Sequence, residues 1–89
     1  MACERVEGSD ARFAEITLER CPLCHERWLS YLVEEEGISR SGRWFRGLVP
    51  LRSVVTAQNA ASTLASLDWY WAWGSYFDGT VHRRSGPVI

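Results

Sequence analysis

Cys21, Cys24 and His25 are the residues of this 89-residue chain whose types and spacing can do chemistry unaided. Two thiols separated by two residues can converge on one point. As thiolates they bind zinc at about 2.3 Å, or act as nucleophile and resolving thiol in disulfide exchange. A closed tetrahedral zinc site needs two more donors, and the chain offers Cys3, His82 and the adjacent His25. The ligand set expected is Cys21, Cys24, Cys3 and His82, with the fold bringing the distant pair back. A third reading needs no metal: free cysteine is among the most buried residue types, and both thiols can simply pack.

Cys21-Pro22-Leu23-Cys24, joining two segments of strand character and followed by Trp28, resembles the CPxCG knuckle of zinc-ribbon-like bacterial proteins over about a quarter of the chain. The resemblance implies a structural zinc held in part by Cys21 and Cys24. The family's glycine after the second cysteine, at a position that favours positive φ, is His25 here, and no second C-x-x-C follows. The same Cys-Pro-x-Cys is similar to the thioredoxin and glutaredoxin active site, which implies a helix N-terminus lowering the pKa of Cys21. That fold also needs a βαβ unit and a strand led by cis-proline, and the residues between Glu36 and Pro50 are too few to supply the missing strand and helix. With His25 the motif also spells a c-type haem attachment sequence, for which the partner ligand would be His82.

Composition narrows the partners. The net charge of −1 comes from ten basic residues, all arginine, against eleven acids, so no overall field draws the chain to nucleic acid or an anionic membrane. Residues 1–45 carry nine acids and six arginines, and residues 46–89 carry two acids and four arginines, a mild −3 to +2 asymmetry. The N-terminal twenty residues are acidic and lack the apolar run of a secretory signal, and no stretch approaches the roughly 20 apolar residues of a membrane span, so a cytoplasmic, reducing location is expected. No Ser-His-Asp set, glycine-rich phosphate loop or metalloprotease helix is present, which leaves little from which to build a hydrolase.

The elements that must position the cysteines follow from periodicity. Ala14, Ile16 and Leu18 alternate with Glu15, Thr17 and Glu19, a half-buried strand, while residues 1–10 read as an arm. Residues 26–36 fit either a strand, with Leu29, Tyr31 and Val33 on one face and Trp28, Ser30 and Leu32 on the other, or a helix ending at Gly37; the strand is preferred because it pairs across the knuckle. Arg43 to Val49 is a strand closed by Pro50. Thr56 caps a short amphipathic helix over 57–67, and Asp78-Gly79 signals a two-residue hairpin. The expected fold is α+β: one domain over 1–89, a small antiparallel sheet of hairpins with one packed amphipathic helix.

Trp69, Trp71 and Trp73 alternate along one strand face, where they could stack sugars or bases, but a chain this small needs large rings to fill its interior, so they are assigned to the core. The function expected is a zinc-knuckle module that binds another macromolecule, a protein before a nucleic acid, through surface aromatics or the Glu34 to Glu36 patch, in the manner of a small inhibitor or immunity-type protein. The alternative is a thiol oxidoreductase.

Overall fold

The computed structural model describes residues 2–6, 8, 10–23, 25–35 and 37–89, with the backbone alone for 2–5. Six strands form one antiparallel sheet in sequence order: β1 Ala2–Arg5, β2 Glu15–Arg20, β3 Arg27–Val33, β4 Arg43–Val49, β5 Tyr70–Trp73 and β6 His82–Arg84. A six-residue helix, α1 Ala60–Ala65, lies in the connection from β4 to β5. This is a meander with a covered face, and it corrects the α+β expectation.

The packed amphipathic helix expected over 57–67 is absent as such. Thr56 and Asn59 bond each other reciprocally, Thr56 N–H to Asn59 Oδ1 at 2.8 Å and Asn59 N–H to Thr56 Oγ1 at 3.2 Å, and this box closes a turn before the helix begins. Inside α1 the hydroxyl of Ser62 donates to the carbonyl of Asn59, and just past it the hydroxyl of Ser66 donates to that of Thr63. Such bonds offer the backbone an alternative to continued helix. The small-residue spacing read as helical marks the buried positions Ala57, Ala60 and Leu64 of a mostly irregular cover.

Of the segment read as strand or helix, Arg27–Val33 is the strand β3, whose register pairs Ile16 with Tyr31 and Tyr31 with Phe45. Where an arm was expected, Ala2–Arg5 adds an edge strand with Cys3 opposite Glu19. Asp78 and Gly79 do take left-handed backbone, but the link from β5 to β6 spans residues 74–81 and contains a 3-10 turn, so the two-residue hairpin is corrected to a loop. That loop is locked to the start of β4: Tyr76 N–H donates to the Gly42 carbonyl at 2.9 Å and Gly42 N–H to Ser75 Oγ at 3.0 Å. Gly74 must be glycine, since its φ is +122° and a Cβ there would sit 2.5 Å from the Gly42 carbonyl oxygen.

One sheet face is the core. Ile16, Leu29, Tyr31, Val33, Phe45, Tyr70 and Ala72 are sealed beneath the connection that carries Ala57, Ala60 and Leu64. Gly47 lies under this cover; a side chain there would meet Leu64 and Leu67. Two buried tyrosines tie down the flanking loops. The Tyr70 hydroxyl donates to the Gly86 and Pro87 carbonyls, and the Tyr31 hydroxyl donates to Asp10 Oδ2. Asp10 Oδ1 also accepts from the amides of Arg12 (3.0 Å) and Ala14 (3.1 Å), and the Arg12 guanidinium reaches the Ile89 carbonyl.

Desolvation would raise the Asp10 pKa, but the Tyr31 hydroxyl, the two amides and the Arg12 charge outweigh it and hold it below the usual 3.8, while burial and the same carboxylate push Tyr31 up to about 12. A depressed carboxyl pKa contributes stability that is full above 3.8 and lost as pH falls through the folded value; the raised tyrosine contributes below pH 10 and loses it on the way to about 12. Urea unfolding from pH 7 down to strong acid is therefore expected to show a steeper loss below about pH 4 in the parent than in Asp10→Asn. Superimposable acid limbs would refute this anchoring role.

Candidate functional site

The knuckle is built as a hairpin. Cys21 N–H donates to the Glu26 carbonyl and His25 N–H to the Cys21 carbonyl, both at 2.9 Å, which closes the six-residue link between β2 and β3. His25 lies within it at φ +62°, in the left-handed conformation, and its Nδ1 lies 3.4 Å from the Arg20 guanidinium. Cys21 is half-buried. Cys24 lies outside the described residues, and for Cys3 only the backbone position on β1 is known. His82 is not brought to this end: it sits on β6 opposite Ala72, with its ring 5.3 Å from Phe77, four strands and roughly 19 Å from β2. The four-ligand set is thus not assembled with His82. Among the described residues no group of three or more His, Cys, Asp or Glu side chains could hold a metal ion. Among the described residues no helix starts at Cys21 either, so the helix N-terminus of a thioredoxin-like site is missing there.

The second face of the sheet is where the sequence assignment fails most. Alternation puts Trp28 on β3, Trp44 on β4 and Trp71 and Trp73 on β5 opposite to the core residues Leu29, Phe45 and Ala72, and Trp69 continues the same parity. All five tryptophans thus lie on the outer face, and none fills the core. Trp44 is 39% exposed and the others are half-buried. Trp44 and Trp73 are a direct cross-strand pair with centroids 4.9 Å apart, and Trp69 meets Trp71 edge-on at 5.1 Å. Leu48, at 37% exposure, and Leu32 extend the apolar area.

Arginines are laid over these rings. Trp71 is flanked in register by Arg46 on one side and Arg83 on the other; Arg46 covers Trp28 at 4.9 Å and Arg83 covers Trp69 at 4.6 Å. On the opposite face Arg43 lies over Tyr76 and Arg84 over Phe77. A planar guanidinium stacks on an aromatic face in a way that a compact ammonium does not, which gives a structural use to a chain that has arginine and no lysine. Arg46 also pairs with Glu19 at 3.1 Å across the sheet. A hollow of about 260 Å³, lined by Arg46, Trp71, Trp73 and Val81, opens onto this face. The hydroxyl of Ser30, a buried residue of β3 on the same face, has no hydrogen-bond partner among the described residues.

The Glu34 to Glu36 patch is less available than its spelling suggests. Glu34 and Glu35 are exposed, but Glu35 is engaged by the Arg43 guanidinium at 3.2 Å and by Ser41; Glu36 lies outside the described residues. The signal that finds the outer face is strand parity: each tryptophan occupies the phase opposite to Leu29, Tyr31, Phe45 and Tyr70.

No family model, curated protein or solved structure matches the chain. Among the described residues no helix is long and apolar enough to cross a membrane.

The two faces make a stability contrast. Phe45→Ala, which empties a fully buried site, is expected to cost about 3–5 kcal/mol, whereas Trp44→Ala is expected to cost about 1 kcal/mol because it loses little more than its contact with Trp73. Chemical denaturation of both variants checks it; equal losses would place Trp44 in the core.

Proposed function

We propose that the chain is a protein-docking module whose working surface is the outer sheet face. The observation that supports it is the parity of the five tryptophans: the largest apolar side chains are set on the uncovered face with arginines over them. Tryptophan and arginine are the residues that most often dominate interface energetics, and an uncovered apolar face of this extent is unusual on a chain that stays alone.

Three features favour protein over other partners. Glu15 and Glu19 stand on β2 while Arg46 and Arg83 stand on β4 and β6, and a face of both signs suits a protein better than a phosphate backbone. The edges of the sheet are short and charged, β1 with Glu4 and Arg5 and β6 with Arg83 and Arg84, a composition that discourages strand addition. The rings are held by cross-strand and cation contacts, so little side-chain entropy is lost on docking.

A structural zinc at the β2–β3 hairpin is a second reading, favoured by the register that stands Cys3 opposite Glu19, two residues before Cys21 on β2. Its ligands would be Cys3, Cys21 and Cys24, with thiols kept reduced in the cytoplasm, and His82 has no part in it. Native mass spectrometry is expected to find one zinc per chain, with a lower melting temperature after chelation. The bare polypeptide mass, with no effect of chelator on melting, rules the metal out.

The docking reading is tested by immobilising the parent and Trp44→Ala/Trp73→Ala and comparing the proteins each retains. Loss of two central rings is expected to weaken retention by about 30-fold or more while the domain stays folded. A partner held equally by both would overturn it.

A further inference from the structure

We infer that the docking surface ends in a pocket for the C-terminus of a partner protein, its α-carboxylate held by Arg83 and Arg84 and its last, apolar side chain seated against Leu48 and Leu67. This rests on the protein-docking reading and deepens it by naming the part of the partner that is recognised.

The pocket exists because two strands part. β3 pairs with β4 as far as Val49, whereas the ladder between β4 and β5 stops at Arg46 and Trp71. Between the far end of β4 and the chain entering β5 lies a hollow of about 330 Å³, lined by Leu48, Val49, Pro50, Leu67, Asp68 and Trp69. Asp68 and Trp69 are also walls of a second hollow, of about 380 Å³, completed by Arg83, Arg84 and Ser85. In sheet order β5 stands between β4 and β6, so the two hollows lie side by side. One is mainly apolar and the other basic, and a terminal residue spans such a pair between its α-carboxylate and the end of its own side chain.

The basic hollow carries charge that nothing within the described residues answers. Successive residues of a strand point to opposite faces, so Arg83 and Arg84 reach this end of β6 from both sides. Arg83 is held over Trp69 at 4.6 Å and Arg84 over Phe77 at 5.7 Å, and neither guanidinium has an ion pair or hydrogen bond among the described residues. The Nε of Arg84 is buried without a partner; Arg27, Arg43 and Arg46 share that feature, but each bonds elsewhere through Nη2. A buried donor is costly until an acceptor reaches it, and a carboxylate is the acceptor that guanidinium groups suit best.

Asp68 decides between anions. Exposed in the same hollow and without an ion pair among the described residues, it repels a doubly charged phosphate more than a single carboxylate. It also accepts the N–H that a terminal residue carries beside its carboxylate. The apolar hollow takes the last side chain, and the residues before it run on over Trp71 and Trp73, which makes the source a protein terminus and not a free amino acid. Capture of a chain end through its charge is an established mode of peptide recognition.

Titration of the full chain with the peptide N-acetyl-Gly-Ser-Gly-Ala-Leu, followed by tryptophan emission, tests the proposal against the same peptide amidated at its C-terminus. The free acid is expected to bind saturably and the amide about tenfold more weakly, with a similar loss when the final Leu is replaced by Gly. Arg83→Gln, at an exposed position, is expected to erase most of the difference between acid and amide, which a merely structural loss would not do. The peptide comparison is made on the parent chain, so it carries the test if Arg83→Gln does not fold. Equal binding of acid and amide, or binding of neither, overturns the pocket. N-acetyl-leucine bound as tightly as the pentapeptide overturns a protein terminus as the source, and inorganic phosphate bound more tightly than the acid overturns the carboxylate. Docking itself is judged separately: a partner lost by Trp44→Ala/Trp73→Ala and kept by Arg83→Gln leaves the outer face standing without this pocket.

Discussion

A single sheet has two faces, and the described residues cover only one of them. The connection from β4 to β5, with the N-terminal loop and the C-terminal residues, lies over Tyr31, Phe45 and Tyr70. Among the described residues no further segment lies on the other side of β2 to β5. Apolar burial at about 25 cal/mol per Å² is therefore gained from one face only, and what the chain places on the other face has another use or remains a liability.

The distribution of rings follows from that asymmetry. Tyr31 and Tyr70 can enter the core because each hydroxyl has an internal acceptor, Asp10 for one and the Gly86 and Pro87 carbonyls for the other. Those bonds convert buried polar atoms, each costly if left unpaired, into ties between the sheet and its flanking loops. The tryptophans are stabilised on the outer face by one another and by guanidinium groups. Arg46 does both tasks at once, bridging to Glu19 while lying on Trp28, so the charge on this face is organised rather than scattered.

Much of the sheet was legible in the sequence. The period-two alternation of Ala14 to Glu19 and of Arg27 to Val33 reports strands with one buried face, and Pro50 ends β4 because it cannot donate to the ladder. The helix was misread because alanine spacing looks the same whether small residues line a helix or are the points where an irregular cover touches a sheet, and the backward bonds of Ser62 and Ser66 decide between them. The role of the tryptophans was misread for a different reason. Composition says that large rings should be inside, and only cross-strand register, which a single segment does not carry, says which phase of β5 faces the core. Residues at the knuckle were legible as to conformation: a position that favours positive φ is occupied by His25 at +62°.

The placement of charge then separates two roles that a tryptophan-rich face could serve. Were this surface only an incomplete core, the cheapest arrangement would surround the rings with a uniform polar rim. Instead the acids gather on β2 and the guanidinium groups on β4 and β6, with Trp71 held between two of the latter. An asymmetry of that kind costs nothing in the isolated chain, because exposed pairs are worth little in water. It acquires value when water is expelled and a complementary field is laid against it, and on that ordering of charge, more than on the amount of apolar surface, the protein-docking proposal stands.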